Sequence, residues 1–135
     1  MNTKAQFHAL LTELHPMLLW IRKQLEVAQF DKSVLHKIEL ASEEALVNII
    51  RHAYKDMSGM IEIRVQAKNG FAEITILDQG PPFNPLEMNI NIDRNAGVED
   101  RKIGGLGIFF IREYMDQILY RREENTNILT LIKAL

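Results

Sequence analysis

Aliphatic and polar positions alternate on both sides of Asn69-Gly70, with Ile61, Ile63 and Val65 before it and Ala72, Ile74 and Ile76 after it. A two-residue side-chain period belongs to a strand, and Asn-Gly is the strongest short signal for a tight hairpin. The stretch "MIEIRVQAKNGFAEITILD" is therefore predicted to form two antiparallel strands. Upstream the period changes. Leu14, Leu18, Ile21, Leu25 and Ala28 recur at helical spacing with Pro16 suited to the first turn, and a longer helix from about Lys32 to Tyr54 carries Val34, Ile38, Ala45 and Ile49 on one side. Asp31 stands where its N-cap belongs. "TKAQFHAL" reads as a short first strand, "GGLGIFFIREYMD" opens a third helix, and "QILYRREENTNILTLIKAL" ends the chain as a second hairpin. Residues 84–103 hold little periodicity and much polarity, and are read as one long loop of the kind reserved for functional lids. Strands and helices segregate rather than alternate strictly. The expected fold is α+β, a two-layer α/β sandwich with a mostly antiparallel mixed sheet covered on one face by helices. No repeat or Ser/Gly linker divides the chain, so one domain over residues 1–135 is expected.

The same alternation puts Asp78 on the inward face with Ala72, Ile74 and Ile76. A buried, unpaired carboxylate costs several kcal/mol, so something must satisfy it. Gly80, Pro81 and Pro82 stop the strand beside it and leave an open mouth. On the long helix Glu44, Asn48 and His52 are spaced by four and form a polar stripe along one edge of the apolar face. That stripe suits a solvated flank; it also suits a site in which Asn48 gives one oxygen to Mg²⁺ and Glu44 takes a proton from an attacking hydroxyl. Gly104, Gly105 and Gly107 precede a helix and allow either a tight loop or close approach of an anion to free N–H groups. They form neither a Walker A loop nor a dinucleotide fingerprint.

Composition narrows the choice. At 135 residues with a formal net charge of -2, the chain has neither a basic face for nucleic acid nor an acidic tail. The absence of cysteine removes disulfides, thiolate metal sites and cysteine nucleophiles. His8, His15, His36 and His52 show no zinc spacing, and no Gly-x-Ser-x-Gly elbow occurs. No apolar run approaches the roughly 18 residues of a spanning helix. A soluble, intracellular protein is expected.

Glu-Ala-Leu-Val-Asn on a helix, a strand ending Asp-Gln-Gly-Pro-Pro-Phe, and Gly-Gly-Leu-Gly opening a helix occur in that order. Together they resemble the GHKL (Bergerat-fold) ATPases, and within them the bacterial anti-sigma-factor serine kinases, over nearly the whole chain. The resemblance implies ATP and Mg²⁺ as cofactors, Asn48 as the magnesium ligand and Glu44 as the general base. It implies Asp78 as the acceptor of the adenine amino group, satisfied by nucleotide or by water, and Gly80 as the glycine that lets the base lie close. Gly104, Gly105, Leu106 and Gly107 match the phosphate loop, and Thr130, on the face of Ile128 and Ile132, resembles a terminal-strand hydroxyl near adenine. Pro81 and Pro82 stand where most of the superfamily has a second glycine, as in the anti-sigma branch. The implied partners are an antagonist protein phosphorylated on serine and a sigma factor, with a homodimer and a cytoplasmic location suggested. The alternative is an ATP-dependent partner-switching module that transfers no phosphate.

Overall fold

The computed structural model describes residues 2–54, 58–68, 70–87 and 111–134. Strand β1 (Asn2–His8) is followed by helices α1 (Leu14–Val27) and α2 (Lys32–Asn48) and then by strands β2 (Met60–Lys68), β3 (Phe71–Asp78), β4 (Gln117–Glu123) and β5 (Thr126–Ala134). They form a sheet in the order β1-β2-β3-β5-β4. Every pairing among the described residues is antiparallel. The predicted α+β architecture is the one observed. Both hairpins form, the first with Gly70 at φ 83° and the second through Glu124 (φ 48°) and Asn125 (φ 64°). In the second turn, left-handed backbone at both Glu124 and Asn125 matches the twist of the flanking strands.

Strand alternation sorts the sheet into two faces. Ile61, Ile63 and Val65 of β2, Ala72, Ile74 and Ile76 of β3, and Leu129 and Leu131 of β5 are buried in one cluster with Met17, Ile21 and Leu25 of α1 and Ile38, Ala41, Ala45 and Leu46 of α2. Helix α1 therefore turns Met17, Ile21 and Leu25 inward, while Leu14 and Leu18 only flank the core and Ala28 is exposed. Trp20 packs edge-on against Phe7 of β1 at 6.3 Å, pinning α1 to the sheet edge. Arg22 ties α1 to α2 by a 2.6 Å ion pair with Glu39.

Two helix ends differ from the sequence pattern. Asp31 has the extended N-cap backbone, and its carbonyl accepts the first helical bond from Leu35, but its carboxylate accepts from the Ser33 hydroxyl rather than a backbone N–H. The long helix also does not run as a regular α-helix to Tyr54. It passes after Asn48 into a π turn over Ile49–Ala53. The wider turn keeps Ile49, Ile50 and Tyr54 buried while Arg51 and His52 face solvent.

Tyr54 closes this end of the core. Its hydroxyl accepts from the Gln79 N–H at 2.9 Å and lies 3.4 Å from the Met60 carbonyl, joining the exit of the helix to the end of β3 and the start of β2. Gly59 makes the approach possible, because a Cβ there would lie 2.2 Å from the Tyr54 ring. Tyr54 is 6% exposed and its hydroxyl is engaged by the Gln79 N–H, so a shift of the ring would disturb that bond. Gly59→Ala is expected to destabilise the fold by about 1–3 kcal/mol through overpacking. Chemical denaturation checks this; an unchanged midpoint would mean that the ring yields without losing Gln79.

Candidate nucleotide site

Cross-strand register builds the site. Phe7, Ile61, Asp78, Asn127 and Arg122 are successive partners across β1, β2, β3, β5 and β4, so their side chains share the helix-covered face. The row is apolar at one end and polar at the other. Asp78 is 3% exposed and Asn127 2%, and among the described residues of the sheet they are the buried polar pair.

The carboxylate of Asp78 is satisfied by short-range donors. Its Oδ1 accepts from the Gly80 N–H and from Asn127 Nδ2, each at 3.0 Å. Among the described residues both of these bonds fall on Oδ1, which leaves Oδ2 to accept from a ligand or water. Asn127 in turn is held from every side. Its Nδ2 also donates to the Pro81 carbonyl at 2.9 Å, and its Oδ1 accepts from the Tyr120 hydroxyl, Arg122 Nη1 and the Phe83 N–H at 2.5, 3.0 and 3.3 Å. Arg122 Nη1 also donates to the Gly80 carbonyl at 3.0 Å. The turn that follows β3 is thus stitched to the β4–β5 hairpin through one carboxamide.

Electrostatics pull Asp78 both ways. Burial raises its pKa above the ordinary carboxylate range, and the Asn127 bond, the Gly80 bond and the charge of Arg122 draw it back. Burial also raises the Tyr54 phenol, with the Asp78 charge adding to it, so Tyr54 stays neutral and serves as a hydrogen-bonding post.

The facing helix carries the second half of the site. Asn48 is 2% exposed, and its Nδ2 is buried with no partner among the described residues. A buried amide left unpaired costs about 1–3 kcal/mol, a deficit that a bound ligand can remove. Glu44, one turn earlier, is half-buried; burial raises its pKa, the neighbouring Glu43 charge adds to this, and Arg51 opposes it. His52 leaves the predicted stripe at the π turn and stacks on Phe83 at 5.5 Å and 16°. That stack and the Tyr54–Gln79 bond bring the end of α2 against the segment just after Asp78. No group of three or more His, Cys, Asp or Glu among the described residues could hold a metal by itself. A cation here would take one protein oxygen, from Asn48, and complete its shell with phosphate oxygens and water, which is how Mg²⁺ is held beside nucleotides.

Asp78, Gly80, Asn48 and Glu44 are thus brought to one end of the helix–sheet layer. Thr130 is not. It pairs with Thr75 of β3 and Leu119 of β4, so its side chain lies on the outer face with Ile128 and Ile132, and the terminal-strand residue that faces Asp78 is Asn127. Gly104, Gly105, Leu106 and Gly107, and the proposed lid apart from Asn84–Glu87, lie outside the described residues. A cavity of about 620 Å³ also touches Asp78 and Gln79, but Gln6, Glu62, Arg64, Leu77 and Thr126 on its wall belong to the outer face, so it is not the candidate site. No helix among the described residues is long and apolar enough to cross a membrane.

A two-layer α+β domain whose central strand ends on a buried acid beneath a helix bearing Glu and Asn is the class this geometry defines. The chain belongs to the histidine kinase-like ATPase domain family, whose profile matches residues 7–133. Among curated proteins it is similar to serine-protein kinase RsbW of Staphylococcus aureus (strain MSSA476), 30% identical over 95 residues, and to those of Bacillus mycoides (strain KBAB4), 32% over 98, and Halalkalibacterium halodurans, 31% over 104. The alignments cover 67, 70 and 75% of this chain and 60, 61 and 63% of the relatives, so the chain spans about three-fifths of the length of those proteins. The catalytic domain of histidine kinase ThkA superposes with a TM-score of 0.51 over 98% of this chain and 95% of its own, and at 13% identity it shows the shared fold.

The buried acid sets a pH dependence. Because its folded pKa is raised, the nucleotide-free protein binds more protons folded than unfolded in the window above the ordinary carboxylate value; the stability Asp78 contributes is full below that window and lost as pH rises through the folded pKa. Asp78→Asn keeps an acceptor for Gly80 and Asn127 and removes the charge. At pH 7 the nucleotide-free variant is expected to melt at the parent's temperature or above, with the advantage shrinking toward pH 4, while ATP binds more weakly by about 1.5–3 kcal/mol. Calorimetry against pH checks both parts.

Proposed function

We propose that the protein is an ATP-dependent serine kinase and anti-sigma regulatory factor that phosphorylates an antagonist protein on serine and sequesters a sigma factor. The observation that carries this reading is the Asp78 carboxylate, buried at a strand end with Oδ1 tied down and Oδ2 left to accept. An ionised acceptor in that position recognises a purine amino group, and the Tyr54–Gln79 bond and the His52–Phe83 stack, which draw the end of the Glu44–Asn48 helix toward the segment after Asp78, support the same reading. The serine-protein kinase names of its relatives support the choice of phosphoacceptor.

In this reading Asp78 holds adenine, Gly80 gives the base a close floor, and Gly104, Gly105, Leu106 and Gly107 receive the phosphates. Asn48 supplies the one protein oxygen to Mg²⁺, which when bound neutralises phosphate charge. Glu44 accepts the proton of the partner's serine as the hydroxyl oxygen bonds to the γ-phosphorus and the bond to the β–γ bridging oxygen breaks, releasing ADP. Positioning and charge neutralisation supply most of the rate. The half-buried setting that raises the Glu44 pKa brings it nearer to working pH, where a general base is most effective.

Glu44→Gln separates transfer from binding, since it keeps size and polarity but takes no proton. Nucleotide affinity is expected to stay within a few fold, the partner complex to persist, and phosphoryl transfer to fall by roughly 10²-fold or more. The parent's rate should rise with pH through the raised Glu44 pKa and then level. Labelled Mg-ATP with proteins retained from the source cell reads both. Transfer at the parent's rate in the variant would remove Glu44 as the base; a parent that phosphorylates no retained protein would establish instead an ATP-dependent partner switch without transfer.

A further inference from the structure

Asn127 entered no expectation drawn from the sequence, yet it makes more hydrogen bonds at the site than Asp78 does. The orientation of its carboxamide is settled by chemistry. Nδ2 faces the Asp78 carboxylate and the Pro81 carbonyl, which accept only, and Oδ1 faces the Phe83 N–H and Arg122 guanidinium, which donate only, together with the Tyr120 hydroxyl. Reversing the amide would set donors against donors and acceptors against acceptors. The amide therefore has one orientation, imposed from β4 and from the turn after β3, and it transmits that orientation to Asp78 Oδ1.

We propose that Asn127 is a specificity-determining positioning residue, locked by Tyr120 and Arg122, which fixes the Asp78 carboxylate so that Oδ2 alone is presented to the purine and a 6-amino purine is chosen over a 6-keto one. The proposal rests on the nucleotide reading above. The physical basis is an asymmetry. A carboxylate free to rotate can turn either oxygen, or a water between them, toward a base, whereas one with Oδ1 pinned offers a single acceptor in a single place. A 6-amino purine donates to that acceptor; in the same pose a 6-keto purine sets its O6 against it, and the pinned carboxylate cannot turn to meet the neighbouring N1–H instead, so both acceptors are left unpaired. The Asn127 bond also favours the ionised form, and so keeps the acceptor charged at a site where burial works against ionisation. Among the described residues the other titratable or charged groups acting on Asp78 are Arg122 of β4, whose charge supports the ionised form, and Tyr54 after the π turn, which is neutral.

The test compares Asn127→Val and Asn127→Thr, near-isosteric residues suited to a strand that differ in a donor hydroxyl. ATP and inosine triphosphate are titrated calorimetrically with Mg²⁺ from pH 4.5 to 8. In the parent, ATP is expected to bind more tightly than inosine triphosphate. In Asn127→Val that preference should shrink by about tenfold or more, and the acidic midpoint of ATP binding should move to higher pH, with Asn127→Thr lying between Val and the parent. A merely structural role would weaken both nucleotides alike and leave their ratio and the midpoint in place, and that result overturns the proposal. Should Asn127→Val not fold, Arg122→Gln, on a partly exposed β4 residue, is expected to move ratio and midpoint in the same direction by a smaller amount, and a parental ratio there overturns it equally. A parent that binds neither nucleotide would overturn the nucleotide reading itself, which distinguishes the two failures.

Discussion

The hydrogen bond between Asn127 and Asp78 is the constraint on which the rest of this end of the molecule depends. A carboxylate 3% exposed in a sheet of Ile, Val and Leu is tolerated only when its charge is met by well-placed donors. The Gly80 N–H supplies one such donor from the turn that ends the strand, and Asn127 supplies the other from the adjacent strand in exact register. Meeting Asp78 in this way obliges Asn127 to be oriented, and that draws in Tyr120, Arg122, Pro81 and Phe83. One acid thus organises a turn and a hairpin.

The helix side is shaped by the same end of the sheet. Tyr54 reaches the Gln79 N–H only because the chain leaves α2 through a π turn and because Gly59 has no side chain to meet the ring. The π turn also separates buried Asn48 from exposed His52, which then stacks on Phe83. Both contacts draw the end of the Glu44–Asn48 helix toward the acid. Stability is given up for this arrangement in two places, the raised pKa of Asp78 and the unpartnered Asn48 Nδ2, and a ligand that donates to the first and accepts from the second would relieve both.

Much of this was legible in the sequence where local periodicity and core-facing pattern agree. The alternation around Asn69-Gly70 gave the central hairpin and the inward face of Asp78, and the helical spacing of Ile38, Ala45 and Ile49 gave α2. Three features were not legible, each for a physical reason. In β5 the inward residues Asn127, Leu129 and Leu131 alternate with Ile128, Thr130 and Ile132, so both faces read as apolar and the terminal strand hid which polar residue looks inward. Ile128 is itself only 8% exposed on the outer side. Counting the register back from the Glu124-Asn125 turn puts Asn127 on one face with Tyr120, Leu129 and Leu131 and Thr130 on the other with Leu119, whereas its position opposite Asp78 depends on the pairing of β5 with β3, which no local turn sets. The π turn leaves no mark in a four-residue spacing, so the sequence pattern makes His52 the continuation of Glu44 and Asn48. Tyr54 is bound to Gln79 across 25 positions, a contact that local pattern does not encode.

The most direct measurement of the central claim is the titration of the Asp78 carboxyl carbon by NMR, in the protein alone and with a saturating, non-hydrolysable ATP analogue. The account predicts a pKa above the ordinary carboxylate value in the free protein, where burial dominates, and a fall when an amino group donates to Oδ2 and favours the charged form. A carboxyl that titrates at the ordinary value, or whose titration is untouched by the analogue, would contradict it.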